Sequence, residues 1–171
     1  MSRGAVRRRR ARGGFGWRGR AGAGVVLPPR LVGAGSIDQG RGWRGLPSDW
    51  QLIVADESGL PAAAGILRDM PREAVGHALI ELFDERDRQH VDAPEGMTVH
   101  WLIRDPAMPP GTRALPYLQA LDLPGGVAYA FVVGEQALAT GARRHLVRER
   151  GIDRRQVTFS GYWKRGAATI G

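Results

Sequence analysis

The chain contains no cysteine. That excludes a disulfide-stapled scaffold and any zinc or iron–sulfur site held by thiolates. Long apolar runs are also missing: nothing approaches the roughly 20 consecutive residues that a helix needs to cross a bilayer. The four histidines (His77, His90, His100 and His145) do not fall at metal-ligand spacing. No phosphate-binding Walker loop occurs, no Gly-x-Ser-x-Gly elbow, and no carboxylate pair that spacing would single out for acid–base work. The sequence therefore nominates no catalytic side chain and no metal ligand. What remains, at 171 residues and 43% hydrophobic content, suits one domain of ordinary size with a real core.

The net charge of +8 is unevenly placed. Residues 1–46 hold eleven Arg and one acid, Asp38, whereas residues 47–171 hold 14 bases and 16 acids. The basic character belongs to the tail, and the rest is mildly acidic. Arg and Gly make up 23 of the tail's 46 residues, with Arg7-Arg8-Arg9-Arg10 the densest point. Such a composition buries too little apolar surface to offset the entropy of ordering, so the tail is expected to be disordered. It lacks the 7–15-residue apolar stretch of a secretion signal. An RNA-binding arm with Phe15 and Trp17 stacking on bases is one reading of it. The reading adopted is non-native translated sequence from a misplaced start or shifted frame, and nucleic acid is not an expected partner. Gly33-Ala34-Gly35 lacks the third glycine of a dinucleotide loop.

From Trp50 onward, short apolar runs alternate with helical patterns. Strands are expected over 50–55, 77–82, 98–103, 127–133 and 156–160. Helices are expected over 60–67, from Thr112 (as N-cap) through Leu115, Leu118 and Leu121, and over 136–150 up to Gly151. Near-continuous apolar strands separated by helices indicate a parallel sheet covered on both faces. The expected fold is thus α/β, a five-stranded parallel doubly wound sheet.

Ligands of such sheets bind beyond the carboxyl ends of the strands, where the strand order reverses. The residues there are Asp56-Glu57-Ser58-Gly59, the region 81–84, Arg104-Asp105, Gly134-Glu135 and Gly161-Tyr162-Trp163-Lys164. Ser58 and Gly59 ahead of a helix suit a pyrophosphate, or simply cap the helix. Arg104 suits a ribose 2′-phosphate, or an ion pair with Asp105 or a neighbouring acid. Gly134 permits close approach of a ligand; Glu135 bonds that ligand or caps the next helix.

Four ordered segments then point to a family. The run from Trp50 to Ala62, WQLIVADESGLPA, resembles the "LLVGDETALPAI" motif of siderophore-interacting proteins, which are flavin-dependent ferric-siderophore reductases. Residues 99–105 are similar to that family's "VTWLHRD", and 129–135 to its "YAWVAGE". Residues 143–166, RRHLVRERGIDRRQVTFSGYWKRG, match its C-terminal signature. The departures are Ala55 for Gly, Ser58 for Thr, Ile103 for His and Lys164 for Arg; Ala55 places a methyl group near the expected pyrophosphate.

The resemblance implies a ferredoxin reductase-like protein in which an N-terminal barrel holds FAD and a C-terminal α/β domain receives NAD(P)H. Only the second is expected here, over 47–171, because no Arg-x-Tyr-Ser/Thr flavin motif occurs. A truncated or misframed copy is therefore expected; a subunit that receives flavin from a separate flavin-domain chain is a further reading. By resemblance, Asp56, Glu57 and Ser58 border the nicotinamide–ribose and pyrophosphate. Arg104 favours NADPH, Gly134 and Glu135 line the nicotinamide side, and Tyr162 and Trp163 face the flavin. Lys164 and Arg165 are expected to attract the anionic ferric siderophore, and the setting is expected to be cytoplasmic.

Overall fold

A computed structural model describes residues 46–166. Of the expected tail, residues 1–45 lie outside the described residues. The described part holds one five-stranded sheet of order β3-β2-β1-β4-β5, in which every pairing is parallel. The strands are β1 Trp50–Ala55, β2 Val75–Leu82, β3 Gly96–Ile103, β4 Ala128–Glu135 and β5 Val157–Trp163. The helices are α1 Leu60–Asp69, α2 Ala114–Ala120 and α3 Gln136–Arg144. No helix among the described residues is long and apolar enough to cross a membrane.

The period-two geometry of a strand sends successive side chains to opposite faces, and both faces here are buried. On one face Trp50, Leu52, Val54 and Leu79 pack with Leu118 of α2 and with Leu138, Ala142 and Leu146. On the other, Ile53, Ala55, Ile80 and Val133 pack with Leu60, Ala63 and Leu67, the inward stripe of α1. Each fully buried Leu or Ile contributes about 2 kcal/mol. This accounts for strands that read as unbroken apolar runs.

Several boundaries differ from those expected. Strands β2 and β3 each begin two residues earlier, at Val75 and Gly96. The link from β2 to β3 contains only a 3-10 turn, Glu85–Asp87, so strand and helix do not alternate throughout. The last helix divides: α3 ends at Arg144 and a π turn, His145–Glu149, carries the chain to Gly151. Thr112 does not cap α2. Its hydroxyl donates to the carbonyl of Pro109, and the residue at the N-cap is Arg113, whose side chain makes no capping bond. Finally, β5 runs on to Trp163, taking in the aromatic pair that was expected to follow it.

The strand order reverses between β1 and β4. The chain lays β2 and β3 to one side of β1, then crosses to place β4 and β5 on the other. That switch point brings the end of β1, at Ala55-Asp56, beside the end of β4, at Gly134-Glu135.

Candidate functional site

Asp56 is fully buried directly after β1. Its Oδ1 accepts from the Ser58 backbone N–H at 2.9 Å, the Ser58 hydroxyl at 2.5 Å and the Gly59 N–H at 3.2 Å. Its Oδ2 accepts from the Glu135 N–H at 2.6 Å, across the switch point. The carboxylate thus sits where a pyrophosphate would seat in a glycine-rich loop, and it takes the amides ahead of α1 for itself. Gly134 is required by the same carboxylate. Its φ is +131°, and a Cβ there would fall 2.6 Å from Asp56 Cγ. Gly59 has a parallel cause: a Cβ would lie 2.8 Å from Val133 Cγ2 and 3.0 Å from the Ala55 methyl. That methyl is itself fully buried, packed in the cluster that holds the inward stripe of α1.

The other helices follow the same rule. Glu135 caps α3, its Oε2 accepting from the N–H groups of Ala137 and Leu138 at 2.5 and 3.3 Å. Glu81, wholly buried at the end of β2, accepts from the N–H groups of Gly111, Arg113 and Ala114 at 2.7, 2.9 and 2.6 Å. A carboxylate near a helix N-terminus is favoured by the aligned peptide dipoles. An acid from a strand end therefore holds backbone amides at or just ahead of the start of each of the three helices.

Arg104 ties the rim together. It lies after β3, with a side chain only 5% exposed, and its two terminal nitrogens each donate to one oxygen of Glu57 at 2.7 Å. Its Nε donates to the Met108 carbonyl at 3.2 Å and lies 3.7 Å from Glu81. Burial alone would lower the guanidinium pKa, but the bonds and charge of Glu57, with Glu81 and Asp56 behind it, hold it above its ordinary value. Of the two ion pairs open from sequence, Asp105 is not the partner; a neighbouring acid, Glu57, is.

Tyr162 and Trp163 stand exposed at the end of β5, at 49% and 39%. The pairing passes from Gly134–Gly161 to Glu135–Trp163, leaving Tyr162 as the extra residue of a bulge, a device that re-aims side chains at a sheet end. The Trp163 indole N–H donates to the Ser58 hydroxyl at 3.2 Å. Burial, and then the charge of Asp56, push the Tyr162 phenol above its ordinary pKa. Lys164 and Arg165 follow, and the Arg165 N–H donates to Glu135 Oε1 at 3.2 Å. The two cations line an open pocket of about 440 Å³ with Pro109, Glu135, Gln136, Ala137 and Thr140.

The structure thus joins Asp56, Ser58, Glu135, Trp163 and Arg165 in one hydrogen-bonded network, with Gly134 packed against the Asp56 carboxylate. Glu57 and Arg104 form a second group beside it, and Tyr162 and Lys164 flank Trp163 at the end of β5. The region 81–84 was named from sequence only as a stretch; within it the structure singles out Glu81, visible as a lone acid inside the apolar run Leu79-Ile80-Glu81-Leu82, and Phe83, exposed at 41%. Met108, exposed at 45%, was passed over because it gave no local signal. Among the described residues no group of three or more His, Asp or Glu side chains could hold a metal ion.

A family model described as "Siderophore-interacting protein" matches residues 48–166. This chain belongs to the siderophore-interacting protein family. It is 34% identical over 155 residues to the ferric vibriobactin reductase ViuB of Vibrio cholerae, covering 90% of this chain and 55% of that protein. An alignment of that length exceeds the 125 residues of 47–171, so it reaches into the Arg/Gly-rich segment. A siderophore utilization protein from T. fusca superposes with a TM-score of 0.64 at 37% identity, over 72% of this chain and 48% of that one. The siderophore-interacting protein SipS from Aeromonas hydrophila gives 0.64 at 29% identity, over 71% and 48%. This family member thus spans about half the length of the relatives it matches.

Proposed function

We propose that this chain carries the NAD(P)H-binding part of a flavin-dependent ferric-siderophore reductase, the part that delivers hydride to an FAD-bearing barrel. The observation that carries the reading is the position of the bonded acid network. It lies at the reversal point of an all-parallel sheet, beside two exposed aromatic side chains.

The fit to a dinucleotide is uneven. Its adenosine end suits the rim, because the part-exposed Glu57 carboxylate offers oxygen acceptors to hydroxyl groups. Its pyrophosphate finds no free amides at Ser58 and Gly59, since Asp56 holds them. When bound, the nicotinamide supplies a hydride and the flavin passes electrons singly to Fe(III). The residues of this chain orient and exclude. Asp56 fixes the β1 and β4 ends in register, Gly134 keeps the rim low beside it, and Glu135 lines the nicotinamide side. Tyr162 and Trp163 present flat apolar surface to the flavin ring. Lys164 and Arg165 draw in the ferric siderophore, whose chelates are often anionic. The iron is substrate, released as the weaker ferrous complex in the cytoplasm.

Mixing this chain with the separately produced flavin barrel of a relative tests the reading. NADH or NADPH should bleach the flavin only when the chain is present, and a ferric chelate should restore the colour. A barrel that dithionite bleaches but that NAD(P)H plus this chain leaves yellow overturns it.

A further inference from the structure

Phe83 and Met108 are the two exposed apolar side chains at the carboxyl ends of β2 and β3, the half of the rim away from the flavin-facing aromatics. Both meet Arg104. Its guanidinium carbon lies 5.6 Å from the Phe83 ring centroid, and its Nε bonds the Met108 carbonyl. The same guanidinium holds the Glu57 carboxylate by two hydrogen bonds, its side chain 23% exposed. An apolar platform beside a rigid two-oxygen acceptor matches a purine nucleoside: the base lies on the apolar side chains and a ribose diol donates to the carboxylate.

We infer that Phe83, Met108 and Glu57 form the adenosine subsite of the dinucleotide and that Glu57 makes the site select NADH over NADPH. The inference rests on the dinucleotide reading above and specifies which dinucleotide that site takes.

Charge and access decide the selection. Arg104 is the cation whose place suits a 2′-phosphate, but with 5% of its side chain exposed its remaining N–H groups are out of a ligand's reach. What faces outward instead is Glu57, and a 2′-phosphate there meets a carboxylate. Phosphate and carboxylate oxygens are both acceptors with no proton to share, so the pairing is disfavoured even beside Arg104. A 2′-hydroxyl meets an acceptor. Two of the cations near this part of the rim have acid partners of their own. Arg86 is chelated by Asp84 at 2.5 Å, and Arg88 lies 3.4 Å from Glu85. The buried pair therefore presents an acid where sequence shows a base.

Calorimetric titration of the full chain with NADH, NADPH, 5′-AMP and adenosine 2′,5′-bisphosphate tests this without any variant. NADH is expected to bind about tenfold or more tightly than NADPH, and 5′-AMP better than the bisphosphate by a similar factor. Equal or tighter binding of the 2′-phosphorylated ligands overturns the selection while leaving the dinucleotide reading intact. No binding of either dinucleotide overturns both. Glu57→Gln, which removes the charge and keeps an oxygen toward Arg104, should close the gap by strengthening NADPH. Phe83→Ala should weaken both dinucleotides equally, and undiminished binding in a folded Phe83→Ala protein overturns the adenosine placement.

Discussion

The backbone N–H of Glu135 donates to Asp56 Oδ2 at 2.6 Å, joining two segments 79 residues apart in sequence. Each of these acids also serves the helix that follows its own strand: Asp56 through the amides of Ser58 and Gly59, Glu135 through those of Ala137 and Leu138. One bond thus locks the starts of α1 and α3 to a common point. Asp56→Ala would leave three backbone donors in or beside a buried site without their acceptor. It should cost about 3–5 kcal/mol, with Asp56→Asn costing less, as read from urea unfolding midpoints.

Gly134 depends on that arrangement. An alanine there must adopt a φ of +131° and push its methyl against the Asp56 carboxylate, 2.6 Å from Cγ. Gly134→Ala should destabilise by about 2–4 kcal/mol in the same assay. A second substitution, Asp56→Ala, should recover part of the loss, because the steric share disappears with the carboxylate.

Glu81 holds the loop ahead of α2 by three amide bonds from a position with no solvent exposure. Glu81→Gln replaces one acceptor oxygen with an NH2 group that faces donors, at a cost of about 2–3 kcal/mol. Hydrogen exchange should quicken at the amides of Gly111, Arg113 and Ala114 before it does in β1 or β4.

His77 and His100 form a pair whose charge the fold resists. His77 Nδ1 and His100 Nε2 lie 3.1 Å apart, and His100 Nδ1 lies 2.8 Å from the Tyr117 hydroxyl. Burial lowers both imidazole pKa values below the ordinary 6.5, and for His100 the neighbouring His77 lowers it further. Below 6.5 the unfolded chain binds protons that the folded chain refuses, so stability present at neutral pH is lost as pH falls through the lowered folded values. Melting temperature should fall by a few degrees between pH 7.5 and pH 5.5, roughly the histidine range. A His77→Gln/His100→Gln double variant should show a flatter profile over that interval.

Much of this was legible from sequence. The strands announced themselves because both faces of the sheet are covered, leaving no polar alternation to blur them. The gathering of Asp56, Gly134 and Glu135 at the switch point followed from the strand order that such a sheet adopts. The extra residues of β2 and β3 were hidden because Gly76 and Gly96 carry no strand preference. The π turn after α3 leaves the apolar spacing nearly unchanged and shifts only backbone partners. The cap of α2 comes from Glu81, more than thirty positions upstream of the amides it holds, and Arg104 meets Glu57 across 47 positions. Pairings at that range have no local signature, so the Arg104 pair could be named from sequence as an alternative but not assigned a partner.

The acids that hold the segments leading into the three helices have a kinetic corollary. Because Asp56, Glu81 and Glu135 already hold the turns around the rim, an arriving ligand has little chain to order and can seat as one rigid body on another. Encounter should then run at the speed of diffusion and orientation, with single-exponential stopped-flow traces whose rate rises linearly with ligand concentration, free of the plateau that a slow rearrangement would impose.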